Sequence, residues 1–371
     1  MSSTTAHNLQ QTVQSAARAR GFHLAGVTSV PEPGSAEDFS ELAHFQDWVA
    51  AGRAGSMDYL RRTDEAGKYL RSSARIPFPW ARSVVVVSVS YNNAQPYSVQ
   101  PAPENSGWIA RYAWSGHAAP GAPNGLDTPT EPHATAATPL QPTDYHSVIR
   151  TRLEQFAEDL QAALGPFTSR CFVDTGPLVE RIYAKYAGLG WQGKNTCLIH
   201  PQLGSWFFLG VILTSLELPE AAQSTPLPDR CGSCTRCIDA CPTQCLEPYA
   251  MDASRCIAYL TIEKRGEIPE DLQPAIGRNV FGCDICQEVC PWNRRALVTD
   301  WPELSARPEL VNPALDWLAS LTEEDFKRLF RASPVARTKH AGLQRNVAIA
   351  LRNQKEETKT AATASDPSVA V

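Results

Sequence analysis

Apolar positions recur along the first two hundred residues with two periods. A helical period covers about 8–20, where Gly21 ends the run, and again about 37–51, where Leu42, Phe45 and Val49 share a face and Gly52 is the stop. A third helix is expected over about 146–164, with Ile149, Leu153, Phe156, Leu160 and Leu164 aligned. Between these lie runs that read as strands: 22–28, the β-branched stretch 83–91 (SVVVVSVSY), 170–173 and 206–214. Pro177 suits the first position of a helix ending near Gly188, which leaves Asp174 at a strand exit. Alternating strands and helices imply an α/β domain over 1–220. Helices are expected again over 314–353, before a Lys/Thr/Ala/Ser tail at 354–371 that reads as disordered.

The stretch 94–143 breaks the pattern. It holds nine prolines, many Ala and Thr and few large apolar side chains, so it reads as a mobile surface excursion. Deleting about 116–142 is then expected to leave stability unchanged. The longest apolar run, 206–213, is too short to span a bilayer, and the first residues form no apolar signal region. A cytoplasmic location without membrane association is expected.

Charge adds one local feature. The chain carries a net charge of −5, yet positions 327 to 355 hold eight Lys or Arg and no Asp or Glu. Removing these eight cations leaves −13 on the rest. A segment so one-sided suits phosphate contact or, more plainly, a solvated helix face.

Cysteine spacing carries the chemistry. Nine of the eleven cysteines fall between 231 and 290. In a reducing compartment such clustering signals a metal site rather than disulfides. Cys231, Cys234, Cys237, Cys241 and Pro242 form C-x2-C-x2-C-x3-C-P, in which three thiolates hold one 4Fe–4S cubane and the fourth reaches a second. Cys283, Cys286, Cys290 and Pro291 repeat the motif with one ligand missing, and Cys256 is the available supplier. The crossing rule assigns Cys231, Cys234, Cys237 and Cys290 to cluster one, and Cys241, Cys256, Cys283 and Cys286 to cluster two. Paired C-x2-C motifs also build zinc ribbons, but the Pro-terminated double motif favours iron–sulfur. Cys245, on an expected helix, and the isolated Cys171 and Cys197 read as packing residues. Two cubanes move single electrons, so the substrate must be held by the α/β domain.

Several segments together resemble the epoxyqueuosine reductase family: 172–195 (FVDTGPLVERIYAKYAGLGWQGKN), 255–262 (RCIAYLTI), 282–293 (GCDICQEVCPWN), 111–113 (RYA), 144–146 (DYH) and 343–351 (LQRNVAIAL). The likeness spans about 10–353. It implies an α/β N-terminal cobalamin-binding domain over 1–220, a ferredoxin-like two-cluster 4Fe–4S domain over 221–300 and a C-terminal helical segment over 301–353. It further implies reduction of epoxyqueuosine to queuosine at the anticodon wobble position of tRNA, with cobalamin as cofactor, the clusters resupplying electrons and a carboxylic acid protonating the departing oxygen. Asp174 stands at the position of that acid, and a desolvated cleft would raise its pKa. Read without the resemblance, Asp174 is a helix cap. Carried over by aligned segments, the cobalamin pocket comprises Asp174, Leu198, Leu209, Ala258, Cys283, Asp284, Ile285 and Cys286, with Tyr112 a further candidate. The DxHxxG motif that supplies a lower histidine ligand is absent, because Ile149 stands where the glycine belongs. Implied partners are tRNA, with Arg328, Arg331, Arg337 and Lys339 as contacts placed on one side by helical phasing, and an external one-electron donor. A monomer is expected.

The chain departs from the family by the intervening residues 114–143, expected to form a flexible insertion near the substrate, and by Cys245, where a small residue is usual. Two other readings remain: a reductive dehalogenase, which pairs a corrinoid with two clusters but normally carries an export signal, and a ferredoxin-like carrier with no substrate of its own.

Overall fold

The computed structural model describes residues 3–35, 39–117, 140–219 and 222–364. Its centre is a four-stranded sheet in the order Leu24–Ser29, Ser83–Ser90, Phe207–Thr214, Ser169–Phe172. Every pairing in it is antiparallel. The expected layering of helices on a sheet holds, but the ladder is not the parallel one that alternating elements commonly form.

The alternation of strand residues explains how both faces are covered. Val85, Val87 and Val89 point to a core shared with the helices Ser3–Ala19 and Tyr145–Leu164, through Val13, Ala17, Ile149, Leu153, Phe156 and Leu160. Val84 and Val86 point to the opposite core, with Leu42 of the helix Ser40–Ala50 and Ile182, Tyr183 and Ala184 of the helix Glu180–Tyr186. Gly26 lets that last helix close on the sheet, since a Cβ there would lie 1.9 Å from the Ala187 carbonyl oxygen. The helix begins three residues later than Pro177 suggested, with Val179 as its N-cap, so Asp174 does not cap it.

The stretch 94–143 differs most from expectation. Trp108 and Ile109 form a short strand parallel to Asn279–Phe281, and Trp108, Ile109, Ala113 and Trp114 are buried with Val280, Phe281, Leu315, Phe330, Leu343 and Val347. Arg111 is buried too, its guanidinium donating to the carbonyls of Asn93, Gln95 and Pro96 beside the rings of Tyr97, Trp114 and Trp206. Proline-rich composition conceals an anchor made by a few large aromatics. The margins of the expected insertion are also ordered: Ser115–His117 pairs with Gln141–Pro142 and with Ser305–Ala306. The middle of the insertion, 118–139, lies outside the described residues.

The C-terminal helices are Leu315–Ser320, Glu323–Phe330 and Lys339–Ala364, the last two separated by a 3-10 turn over Pro334–Thr338. The last helix runs through the first part of the tail expected to be disordered; 365–371 lie outside the described residues. Among the described residues no helix is long and apolar enough to cross a membrane.

Candidate active site and cluster ligands

The cluster motifs sit on short turns rather than long elements, which lets several thiols converge. All eleven cysteines are free. Cys231, Cys234, Cys237 and Cys290 line one pocket together with Lys194, Asn195, Ile199, Arg230, Arg236, Pro291 and Trp292. Thus Cys290, the far end of the second motif, meets the first three cysteines of the first. Lys194 donates to the carbonyls of Gly232 (2.7 Å) and Cys234 (3.1 Å), tying this loop to the α/β part. The other four ligand candidates share a second locality: Cys283 feels the charges of Cys256 and Cys241, and Cys286 those of Cys283 and Cys256. Burial pushes the Cys283 thiol up, so thiolate ligation there releases a proton when metal arrives. Eight soft donors in two sets of four fit two cubanes.

Two cysteines read as packing do more. The Cys245 thiol lies 3.5 Å from the Cys241 sulfur and also contacts Cys256; its segment is irregular, not helical. Cys197 is not isolated, because its thiol meets that of Cys286. Three-dimensional neighbours of this kind leave no spacing signal.

Asp284, inside the second motif, is fully buried. Its Oδ2 accepts from the Arg111 backbone N–H (2.7 Å) and the Trp108 indole N–H (3.2 Å). Burial, with Glu288 close by, pushes its carboxyl up to about 7. The Asp284 side chain therefore fastens the cluster loop to the 108–111 segment.

Asp174 stands where the sheet loses a strand. The Ser169–Phe172 strand ends on the pair Phe172–Val211, and the chain leaves the sheet with Asp174 at φ +55. Leu209, two residues along from Val211, has no paired strand on that side among the described residues and is the one half-buried residue of its strand. The Asp174 carboxylate is 73% exposed, not enclosed in the desolvated cleft expected from the sequence. It is nonetheless held. The Tyr145 hydroxyl donates to Oδ2 (3.1 Å), His146 Nε2 lies 3.9 Å from the same oxygen, and the Asp174 N–H donates to Glu180 Oε1 (2.9 Å). His146 is itself fixed by Asp144 through Nδ1 (2.6 Å), and the Asp144 carboxylate caps the helix that carries both aromatics. Burial pushes the Glu180 carboxyl up to about 8, with the Asp174 charge adding to the effect.

The charge of Asp174 is also felt by Tyr59, Arg71, Tyr112 and Arg337. Tyr112 responds in addition to Asp284 and Glu263. The sequence points to Tyr112 and Arg337 but not to Tyr59, Arg71, Tyr145, Glu180 or Glu263. The DYH and VDTGPLVE segments contain two of these, so a signal for them is present there. Leu198 is buried and Ala258 half-buried; Cys283, Ile285 and Cys286 are likewise only partly covered.

The basic stretch does not act as one face. Arg328 pairs with Asp325 (2.7 Å) and Arg337 with Glu263 (2.8 Å), while Arg331 and Lys339 are exposed. Arg328 and the C-cap Arg331 end one helix, Arg337 lies in the 3-10 turn and Lys339 begins the last helix, so a single helical phase does not run through all four.

Comparison with known proteins bears on the family and on the cysteine-rich domain. Residues 230–293 match a family model described as a 4Fe-4S double cluster binding domain, and residues 126–175 match that of epoxyqueuosine reductase QueG, DUF1730. An epoxyqueuosine reductase of Xanthomonas campestris pv. campestris is 39% identical over 92% of this chain and 86% of its own length. One from Synechocystis sp. is 38% identical over 86% of this chain and 98% of its own. Among solved structures, an epoxyqueuosine reductase with an epoxyqueuosine-modified tRNA stem loop superposes with a TM-score of 0.74 at 26% identity, covering 95% of this chain and 83% of that one. A Streptococcus thermophilus epoxyqueuosine reductase gives 0.73 at 27%, covering 97% and 87%. Sharing sequence with such relatives across nearly its whole length, the chain belongs to the epoxyqueuosine reductase family.

Proposed function

We propose that this protein reduces epoxyqueuosine in tRNA to queuosine, with Asp174 as the general acid. The observation that carries the reading is the position of Asp174, fastened by Tyr145 and Glu180 at the edge of the gap over Leu209. Removing the epoxide oxygen as water takes two electrons and two protons. The electrons require the cysteine clusters; the first proton requires an acid that reaches the departing oxygen. Asp174 suits that task because its carboxyl is oriented by neighbours yet open to water, which restores the proton after each turnover.

The half-buried Leu209 at the end of the strand pairing supports cobalamin as the cofactor. Among the described residues Leu209 has a strand only on its Ser88 side, and Leu198, Ala258, Tyr112, Cys283, Ile285 and Cys286 would complete the walls. When bound, cobalamin supplies low-potential reducing power at the epoxide carbon. The His146 ring is committed to Asp144 and faces Asp174, which supports a role in steadying the acid rather than in ligating cobalt. The stem-loop would enter past Tyr59, 41% exposed, whose ring suits base stacking. Arg337 lies 5.6 Å from that ring and, with Arg331 and Lys339, offers phosphate contacts. A bare electron carrier does not account for an acid held in this way, and relatives at 39% and 38% identity over most of the chain favour the reductase over a dehalogenase.

Nucleosides of tRNA from cells lacking the protein test the reading. Epoxyqueuosine is expected to replace queuosine, and wild-type protein but not Asp174→Asn to restore it. Unchanged queuosine in those cells would refute the proposal.

A further inference from the structure

The clusters need an electron source, and their two surroundings differ. The cluster-two cysteines Cys283 and Cys286 flank the buried anchor Asp284, and Tyr112 feels the charges of both Asp284 and Asp174. The cluster-one turn reaches the surface, where Gly232 and Ser233 are exposed. Around it, among the described residues, stand three arginines left without partners and three acids that are held by neighbouring donors. Arg230 and Arg236 line the cluster-one pocket, and Arg236 also borders an adjoining hollow with Arg294. All three arginines are exposed, and among the described residues their side chains form no ion pair or hydrogen bond. Asp239 and Glu288 border the same hollow, and the nearby acids are fixed by neutral donors, which do not cancel their charge. Asp229 accepts from the Cys231 N–H and the Tyr249 hydroxyl, Asp239 from the Thr235 hydroxyl, and Glu288 from the Ser98 and Val99 backbone. Beyond Arg294 follow two exposed apolar side chains, Leu297 and Val298, each 46% exposed. On a chain of net charge −5, unpaired cations beside an apolar step form a local exception that suits transient docking of an acidic partner.

We infer that the rim formed by Arg230, Arg236 and Arg294 is the docking surface for a small acidic protein carrying a surface-exposed one-electron cofactor. The inference rests on the cluster-one ligand set given above. One electron passes from the carrier to cluster one with no bond made or broken: the carrier is oxidised by one electron and the cluster reduced by one. Two such deliveries, with two protons, balance the loss of the epoxide oxygen as water. Because the arginines act on encounter, they affect the association rate rather than the chemistry.

The test uses anaerobically reconstituted full-length protein and stopped-flow bleaching of cluster absorbance. Reduced flavodoxin serves as the acidic carrier, and reduced methyl viologen, a small cation, as the control. The wild-type rate with flavodoxin is expected to fall as salt rises. Arg230→Glu/Arg294→Glu is expected to lose about tenfold of the low-salt flavodoxin rate and most of its salt dependence, a far larger loss than any seen with viologen. Arg230→Gln/Arg294→Gln gives a milder loss and guards against a charge-reversed protein that folds poorly. A flavodoxin rate independent of salt, or variants that match wild type at every ionic strength, would overturn the docking surface. Wild-type protein that takes up no clusters would instead refute the ligand assignment.

Discussion

Replacing Asp174 by Asn separates proton delivery from structure, because the local geometry makes the substitution nearly silent for the fold. The backbone at 174 has φ +55, a region in which Asn is among the few well-tolerated side chains, whereas Ala pays roughly 1–2 kcal/mol there. The side chain is 73% exposed and accepts one hydrogen bond, from Tyr145; the Asn carbonyl oxygen can accept it as well. The Glu180 contact uses the backbone N–H and is unaffected. A stability change within about 0.5 kcal/mol is therefore expected. The amide cannot give up a proton to the departing oxygen, and general acid catalysis is worth about 10²–10⁴ in rate. At about 1.36 kcal/mol per tenfold, that loss is about 2.7–5.4 kcal/mol of barrier. The assay is a single turnover of epoxyqueuosine-containing stem-loop by pre-reduced, cobalamin-loaded enzyme, quantified by nucleoside chromatography, with cluster absorbance and Tm as controls. Turnover within about threefold of wild type would refute the acid role. A slower rate accompanied by a Tm drop of more than about 4 °C would show that Asp174 acts through the fold instead.

Four further outcomes are expected. Reconstituted protein holds about eight iron and eight labile sulfide, and Cys256→Ser about four of each; iron analysis that finds both clusters in the variant would break the ligand partition. Glu180, raised by burial to about 8, contributes stability that is fully present below the unfolded carboxyl value, declines as pH rises and is gone above about 8. Melting curves from pH 5 to 9 should lose that slope in Glu180→Gln, and an unaltered slope would point to another group. Deleting 116–142 removes both strands that pair at Gly116 and His117, so thermal denaturation should show a clear drop in stability, contrary to the reading of this stretch as a loose loop. Reversing the charges of Arg331 and Arg337 is expected to weaken stem-loop binding and to lower its salt slope by about 1 for each phosphate no longer neutralised; titrations that superpose on wild type at each salt concentration would place the tRNA elsewhere.

Short-range features are legible in the chain because their causes are local. The valine run 83–90 reads as a buried strand from its side chains alone, and the helix over 145–164 from its apolar stripe. The cysteine motifs are equally local, since C-x2-C spacing lets one turn present several corners of a cubane. Other features depend on residues far apart in sequence. Pairing direction is not written in any strand, and the sheet is antiparallel. Composition makes 94–143 look uncommitted, yet Trp108, Arg111 and Trp114 find their partners near 200, 280 and 330–347. The same holds for the thiols of Cys197 and Cys245, which acquire meaning only beside Cys286 and Cys241. Asp174 shows the division within one residue. Its place at a strand exit follows from local pattern, but its exposure, its left-handed backbone and its hold by Tyr145 and Glu180 arise where the neighbouring strand ends and a helix from elsewhere closes on the sheet. Burial, charge and strand pairing are set by what packs against a residue, and tertiary structure alone decides that.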